Sequence, residues 1–123
     1  MSADAAVPFT ATVRESASGP VVEATGELDY ESAPRLGAVL RRVLAVRPAP
    51  PVLVVDLGAM TFCDSAGLNT LLQTRFDAER QGTELRVGRP TDIVTRVLEM
   101  TGTDQVFAVD SDVPAVVPRT RAD

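Results

Sequence analysis

Val52-Leu53-Val54-Val55-Asp56-Leu57-Gly58-Ala59-Met60-Thr61-Phe62-Cys63-Asp64-Ser65-Ala66-Gly67-Leu68-Asn69-Thr70-Leu71-Leu72 is the stretch that decides the fold. It starts as an unbroken apolar run rich in β-branched residues, the pattern of a strand buried on both faces, and it ends with apolar residues at helical spacing. Between the two stands Asp64-Ser65-Ala66-Gly67. Asp and Ser are the residue types that cap a helix N-terminus, and Gly67, lacking a side chain, lets another surface approach the first turn closely. One hydroxyl, that of Ser65, is therefore presented at a helix start, where backbone N–H groups point outward and the dipole is positive. Such a place favours a phosphate.

Toward the N-terminus, Phe9-Thr10-Ala11-Thr12-Val13 alternates apolar and polar, which predicts a half-buried strand over residues 8–14. Ser18-Gly19-Pro20 is a turn signal, and an extended pattern resumes over Val21 to Glu27. Two strands so close together predict an antiparallel hairpin. Gly26-Glu27-Leu28-Asp29 ends the second strand, and Asp29-Tyr30-Glu31-Ser32 supplies capping and first-turn acids for a helix. Its apolar face is Ala33, Leu36, Val39, Leu40, Val43 and Leu44, and Pro34 requires a start close to Tyr30 or Glu31. Arg47-Pro48-Ala49-Pro50-Pro51 stops it.

Toward the C-terminus, Leu68, Leu71, Leu72 and Phe76 form the stripe of a second helix that ends at Gln81-Gly82-Thr83, with a glycine suited to a left-handed cap. Glu84 to Gly88 reads as a short strand. Pro90-Thr91-Asp92 opens a third helix with the stripe Ile93, Val94, Val97, Leu98 and Met100, ended by Thr101-Gly102-Thr103. Gln105 to Val109 reads as a last, edge strand, and Val113 to Val117, held between Pro114 and Pro118, is either one helical turn or no helix. Strands and helices alternating in this order predict an α/β layer structure: a small mixed sheet, antiparallel at its N-terminal hairpin and parallel after it, with helices packed on it.

Composition narrows the chemistry. A chain of 123 residues with 45% hydrophobic and 24% charged residues is one ordinary globular domain, expected over residues 9–117 between a disordered segment, 1–8, and a flexible tail, 118–123. A net charge of -5 disfavours non-specific binding to nucleic acid or to an anionic membrane. No run is long enough for a membrane span, and Met1 to Pro8 lacks the basic start and apolar run of a signal peptide, so a cytoplasmic protein is expected. The sequence contains no histidine, which excludes Ser-His-Asp and Cys-His catalysis and histidine zinc sites. Ser65 has no evident base, and with no Lys and no phosphate-cradling Gly-rich motif an enzyme is not expected. Cys63, the one cysteine, reads as a small buried hydrophobe, and no metal or cofactor is expected.

Gly26-Glu27-Leu28-Asp29, Val54-Val55-Asp56-Leu57, Phe62-Cys63-Asp64-Ser65-Ala66-Gly67-Leu68, Val97-Leu98-Glu99-Met100-Thr101-Gly102 and Val106-Phe107, in that order, resemble the STAS domain of the small, stand-alone anti-sigma factor antagonists. The resemblance implies the STAS fold and a partner-switching role. Ser65, directly after the motif Asp, would be the residue phosphorylated by an anti-sigma factor that is also a serine kinase. The unphosphorylated form would bind that kinase and free its sigma factor, the phosphorylated form would not bind, and a phosphatase would reset the switch. The expected partner-binding residues are Asp29, Asp64, Ser65, Ala66, Gly67, Leu68 and Asn69. Ala66 stands where many relatives carry a second hydroxyl, leaving Ser65 as the one acceptor, and Asn69 replaces a common glycine. For Asp64 the open roles are orienting the hydroxyl, positioning the kinase or capping the helix, and for Asp29 they are contacting a partner Arg or capping. A STAS scaffold or sensor subunit of a stress-signalling assembly is the alternative.

Overall fold

In the computed structural model, which describes residues 7–117, two strands, β1 (Thr10–Ser16) and β2 (Gly19–Leu28), form the expected antiparallel hairpin through a two-residue turn. After α1 (Ala33–Leu44) the chain enters β3 (Val52–Cys63), which pairs parallel with β2. Then follow α2 (Ser65–Arg80), β4 (Glu84–Gly88), α3 (Asp92–Thr101), a short 3-10 turn (Thr103–Gln105) and β5 (Ala108–Asp110). The five strands lie in the order β1-β2-β3-β4-β5, antiparallel only at the first pair. This is the predicted mixed sheet, with the apolar run from Val52 at its centre. Leu53, Val55 and Leu57 face the helices in one core with Leu36, Leu40, Leu71, Val94 and Leu98. Of the segments expected to be loose, all of 118–123 and all of 1–8 but Val7 and Pro8 lie outside the described residues.

Several boundaries differ from expectation. α1 starts at Ala33 and not at Tyr30 or Glu31, because the carboxylate of Asp29 accepts the N–H groups of Glu31 and Ser32 at 3.0 Å and holds a separate turn ahead of the helix. Pro34 still falls within the first turn, as its missing N–H requires. The last strand is three residues long, because the N–H groups of Val106 and Phe107 both turn back to the Thr103 carbonyl and Phe107 plugs the core. Residues 113–117 form no helix. Gly82 and Gly102 end their helices with positive φ, +83° and +76°, as read.

The helical stripes are rotated from the sequence reading. Phe76 is 53% exposed, and Thr74 and Ala78 take the inward positions of α2, the Thr74 hydroxyl being satisfied by the Thr70 carbonyl at 2.8 Å. On α3 only Val94 and Leu98 are buried, while Ile93 and Met100 face out.

Candidate functional site

Leu28 and Cys63 are register partners at the ends of the parallel strands β2 and β3, so Asp29 and Asp64 leave the sheet side by side. The Asp64 N–H donates to the Leu28 carbonyl at 3.1 Å, extending the pairing by one bond. Asp64 then turns with extended backbone into α2 as its N-cap. Its Oδ1 accepts the Gly67 N–H at 2.9 Å, and its Oδ2 accepts the Tyr30 N–H at 3.1 Å. One carboxylate thus ties the first turn of α2 to the loop between β2 and α1. Of the open roles for Asp64, the geometry shows capping, and each of its oxygens already serves a backbone donor.

Ser65 is the first residue of α2 and is exposed, and among the described residues its Oγ has no hydrogen-bond partner. With Gly67 N–H on the cap and Leu68 N–H on the Asp64 carbonyl, the hydroxyl stands over the positive end of a sixteen-residue helix. It is open to a reagent that brings its own base.

Gly67 serves a different surface from the one expected. A Cβ there would lie 2.6 Å from the Leu28 Cγ and 2.9 Å from the Leu28 carbonyl oxygen, so the close approach is made by this chain's own β2. Gly67 is buried and Leu68 is 6% exposed, packed in the core; neither is free to meet a partner. Ala66 is half-buried against the same core, and Asn69, one turn on, is exposed.

Asp29 is brought to the site, and it works within its own loop. Besides the two backbone donors, its Oδ1 accepts the Ser32 hydroxyl at 3.1 Å. These bonds, led by the Ser32 N–H, hold its carboxyl below the usual Asp value. The residue at the cap position proper is Ser32, which makes no side-chain cap bond: its one hydroxyl proton is shared between the Glu27 carbonyl at 2.7 Å and Asp29 Oδ1.

Two neighbours escaped the sequence reading. Tyr30 is 68% exposed beside the Asp64 carboxylate that holds its N–H, and Phe62, 44% exposed, precedes Cys63 on the opposite side of the strand. The available signal was phase: Cys63 reads as buried, so alternation turns Phe62 outward. Cys63 is 4% exposed, and burial, aided by the Asp64 charge, pushes its thiol up to about 11. Among the described residues no three His, Cys, Asp or Glu side chains are grouped to hold a metal ion, and no helix is long and apolar enough to cross a membrane.

Comparison with known proteins gives this geometry its family. The family described as "Mlab, STAS domain" matches residues 11–113. An anti-sigma factor antagonist from Mycobacterium paratuberculosis is 30% identical, with a TM-score of 0.76 over 86% of this chain and 88% of that one. A sulfate transporter family protein from Wolinella succinogenes shares the fold at 21% identity, with a TM-score of 0.66 over 76% of each chain. So does the Bacillus cell fate determinant SpoIIAA in its phosphorylated form, at 18% identity and a TM-score of 0.59, over 83% of this chain and 90% of that one. With a match running from β1 to the residues beyond β5, this chain belongs to the STAS-domain family.

Proposed function

We propose that this chain is an anti-sigma factor antagonist switched by phosphorylation of Ser65, acting in the cytoplasm on an anti-sigma factor that is also a serine kinase, with a phosphatase restoring the unmodified form. The observation that carries the reading is the exposed, unpartnered Ser65 hydroxyl at the first position of α2, fixed by the Asp64 cap. The 30% identical anti-sigma factor antagonist supports the same class. The partner surface is Ser65, Asn69 and the outer rim of Asp29 and Asp64, to which we add Tyr30 and Phe62. Exposed aromatics of this kind are the side chains that most often anchor interfaces.

A phosphate on Ser65 brings about -1.5 to -2 charge at pH 7. The helix N-terminus tolerates that charge in the free protein. In a complex the dianion would be desolvated beside the Asp64 carboxylate, and a loss of several kcal/mol follows, each ~1.4 kcal/mol being tenfold in affinity. Binding of wild type, Ser65→Ala and Ser65→Asp to the serine-kinase anti-sigma factors of the same genome tests this. Ser65→Ala should bind like wild type and Ser65→Asp at least a hundredfold more weakly; equal binding by both variants places the switch elsewhere. Intact mass after incubation with ATP and those kinases should rise by one phosphate in wild type and not in Ser65→Ala. A scaffold or sensor subunit would bind and gain none.

A further inference from the structure

Ser32 stands at the N-cap position of α1, and the helix does not need its side chain there. The Ala33 N–H donates to the Asp29 carbonyl at 2.7 Å, and those of Arg35 and Leu36 donate to the Ser32 carbonyl. The Ser32 hydroxyl works on β2 instead. The pairing of β1 with β2 ends at Thr10 and Thr25. Beyond that point the hydroxyl of Ser32, a residue 5% exposed, donates to the Glu27 carbonyl at 2.7 Å and accepts the Asp29 N–H at 2.9 Å. One side chain thereby serves a carbonyl and an N–H on one edge of β2, as a neighbouring strand would. The opposite edge is served by Asp64, whose N–H donates to the Leu28 carbonyl at 3.1 Å and whose Oδ2 accepts the Tyr30 N–H at 3.1 Å. Residues 27–30 are thus gripped alternately, Glu27 and Asp29 by Ser32, Leu28 and Tyr30 by Asp64.

We propose that Ser32 is a positioning residue of the switch: its hydroxyl fixes the end of β2 so that the Tyr30 N–H meets Asp64 and the Tyr30 ring is offered to a partner in one place. The inference rests on the partner surface proposed above. Without the hydroxyl, the Glu27 carbonyl and the Asp29 N–H lose this partner, and the end of β2 is gripped from the Asp64 side alone. The Tyr30–Asp64 bond is exposed and joins residues 34 apart in the chain, so it forms only where the loop is brought to it. The acceptor is insulated from the change. Asp64 Oδ1 caps α2 through the Gly67 N–H, a bond that Ser32 does not touch, so the Ser65 hydroxyl keeps its place. Ser32 therefore acts on docking of the partner and not on the acceptor.

Wild type, Ser32→Ala and Ser32→Thr test this in the full chain. Amide hydrogen exchange followed by NMR, corrected for the global stability of each chain, reads the loop with no partner present. In Ser32→Ala the Tyr30 N–H should exchange at least tenfold faster, about the worth of one hydrogen bond, while the Gly67 N–H is unchanged. With a serine-kinase anti-sigma factor that phosphorylates wild type, Ser32→Ala should raise KM at least tenfold and leave kcat within twofold. Ser32→Thr, which returns the hydroxyl, should restore both readings. The proposal is overturned if the Tyr30 N–H of Ser32→Ala exchanges as in wild type, if it exchanges faster and KM does not move, if kcat falls instead, or if Thr behaves as Ala. A set of kinases that leaves wild-type Ser65 unmodified overturns the phosphorylation reading, and the exchange comparison then decides by itself whether Ser32 places the loop.

Discussion

Gly67 shows how little room the switch region leaves. The nearest atoms to a Cβ there include a backbone carbonyl, which cannot rotate away, so Gly67→Ala must push α2 off β2. Overpacking of this kind costs ~1–3 kcal/mol, against at most ~1 kcal/mol gained from helix propensity. A lower melting temperature is expected, with the secondary structure retained; an unchanged one would mean the contact relaxes freely. Asp29 separates into two testable parts. Asp29→Asn keeps an oxygen for the Glu31 and Ser32 N–H groups and removes the charge, whereas Asp29→Ala removes both. If the outer rim meets a cation of the partner, Asn lowers affinity with little change in melting temperature, and Ala lowers both. The depressed carboxyl also predicts an acid limb. Its contribution is fully present above the ordinary value of 3.8 and is lost as pH falls through the lower folded value, so Asp29→Asn should flatten stability against pH below about 4.

Among the elements, the end of β4 carries a device on which the sequence was silent. Arg89 has a φ of +52°, and its guanidinium lies over Gly58, with Nε 3.2 Å and an Nη 3.1 Å from the Asp56 carboxylate, which also accepts the Gly58 N–H. The Asp56 side chain is 7% exposed, and that of Arg89 is 47% exposed. Arg89→Ala leaves a buried carboxylate with one donor, a loss of ~1–3 kcal/mol. Arg89→Gly loses the same bonds but relaxes the left-handed backbone, so it should be more stable than Arg89→Ala by ~1 kcal/mol in denaturant melts. Equal stabilities would show the backbone bears no strain. The pairing of Asp56 with Arg89, 33 residues away, was not legible in the sequence. The apolar run from Val52, the caps at Asp64 and Thr91 and the glycine stops were all local patterns, and the sequence displayed them. The rotation of α2 that exposes Phe76 depends on which neighbours the helix meets, and a threonine turned inward with its hydroxyl satisfied by its own helix leaves no hydrophobic signal. At the site the hydroxyl and its cap were readable, but the surface that Gly67 meets was not. That depended on the parallel register of β2 and β3.

For the molecule as a whole, Cys63 is a reporter placed where these elements converge. It is the one cysteine, it pairs in register with Leu28, and it is buried beneath the start of α2. Moving its pKa from 9.0 to about 11 lowers the thiolate fraction at neutral pH by about a hundredfold, and burial removes access as well. Alkylation should therefore proceed only through opening. Because β2, β3 and α2 share one core, that opening should be the global one, so the free energy from labelling rates should equal the unfolding free energy from denaturant titration. A smaller value would show that the Asp64 end opens by itself. In that case the loop carrying Tyr30 and the first turn of α2 form a separate unit, and a charge on Ser65 would act by shifting that unit's equilibrium rather than by meeting a partner on a fixed surface. Labelling Ser65→Asp beside wild type decides between them: equal rates after correction for global stability support the fixed surface, and a faster rate in Ser65→Asp supports local opening.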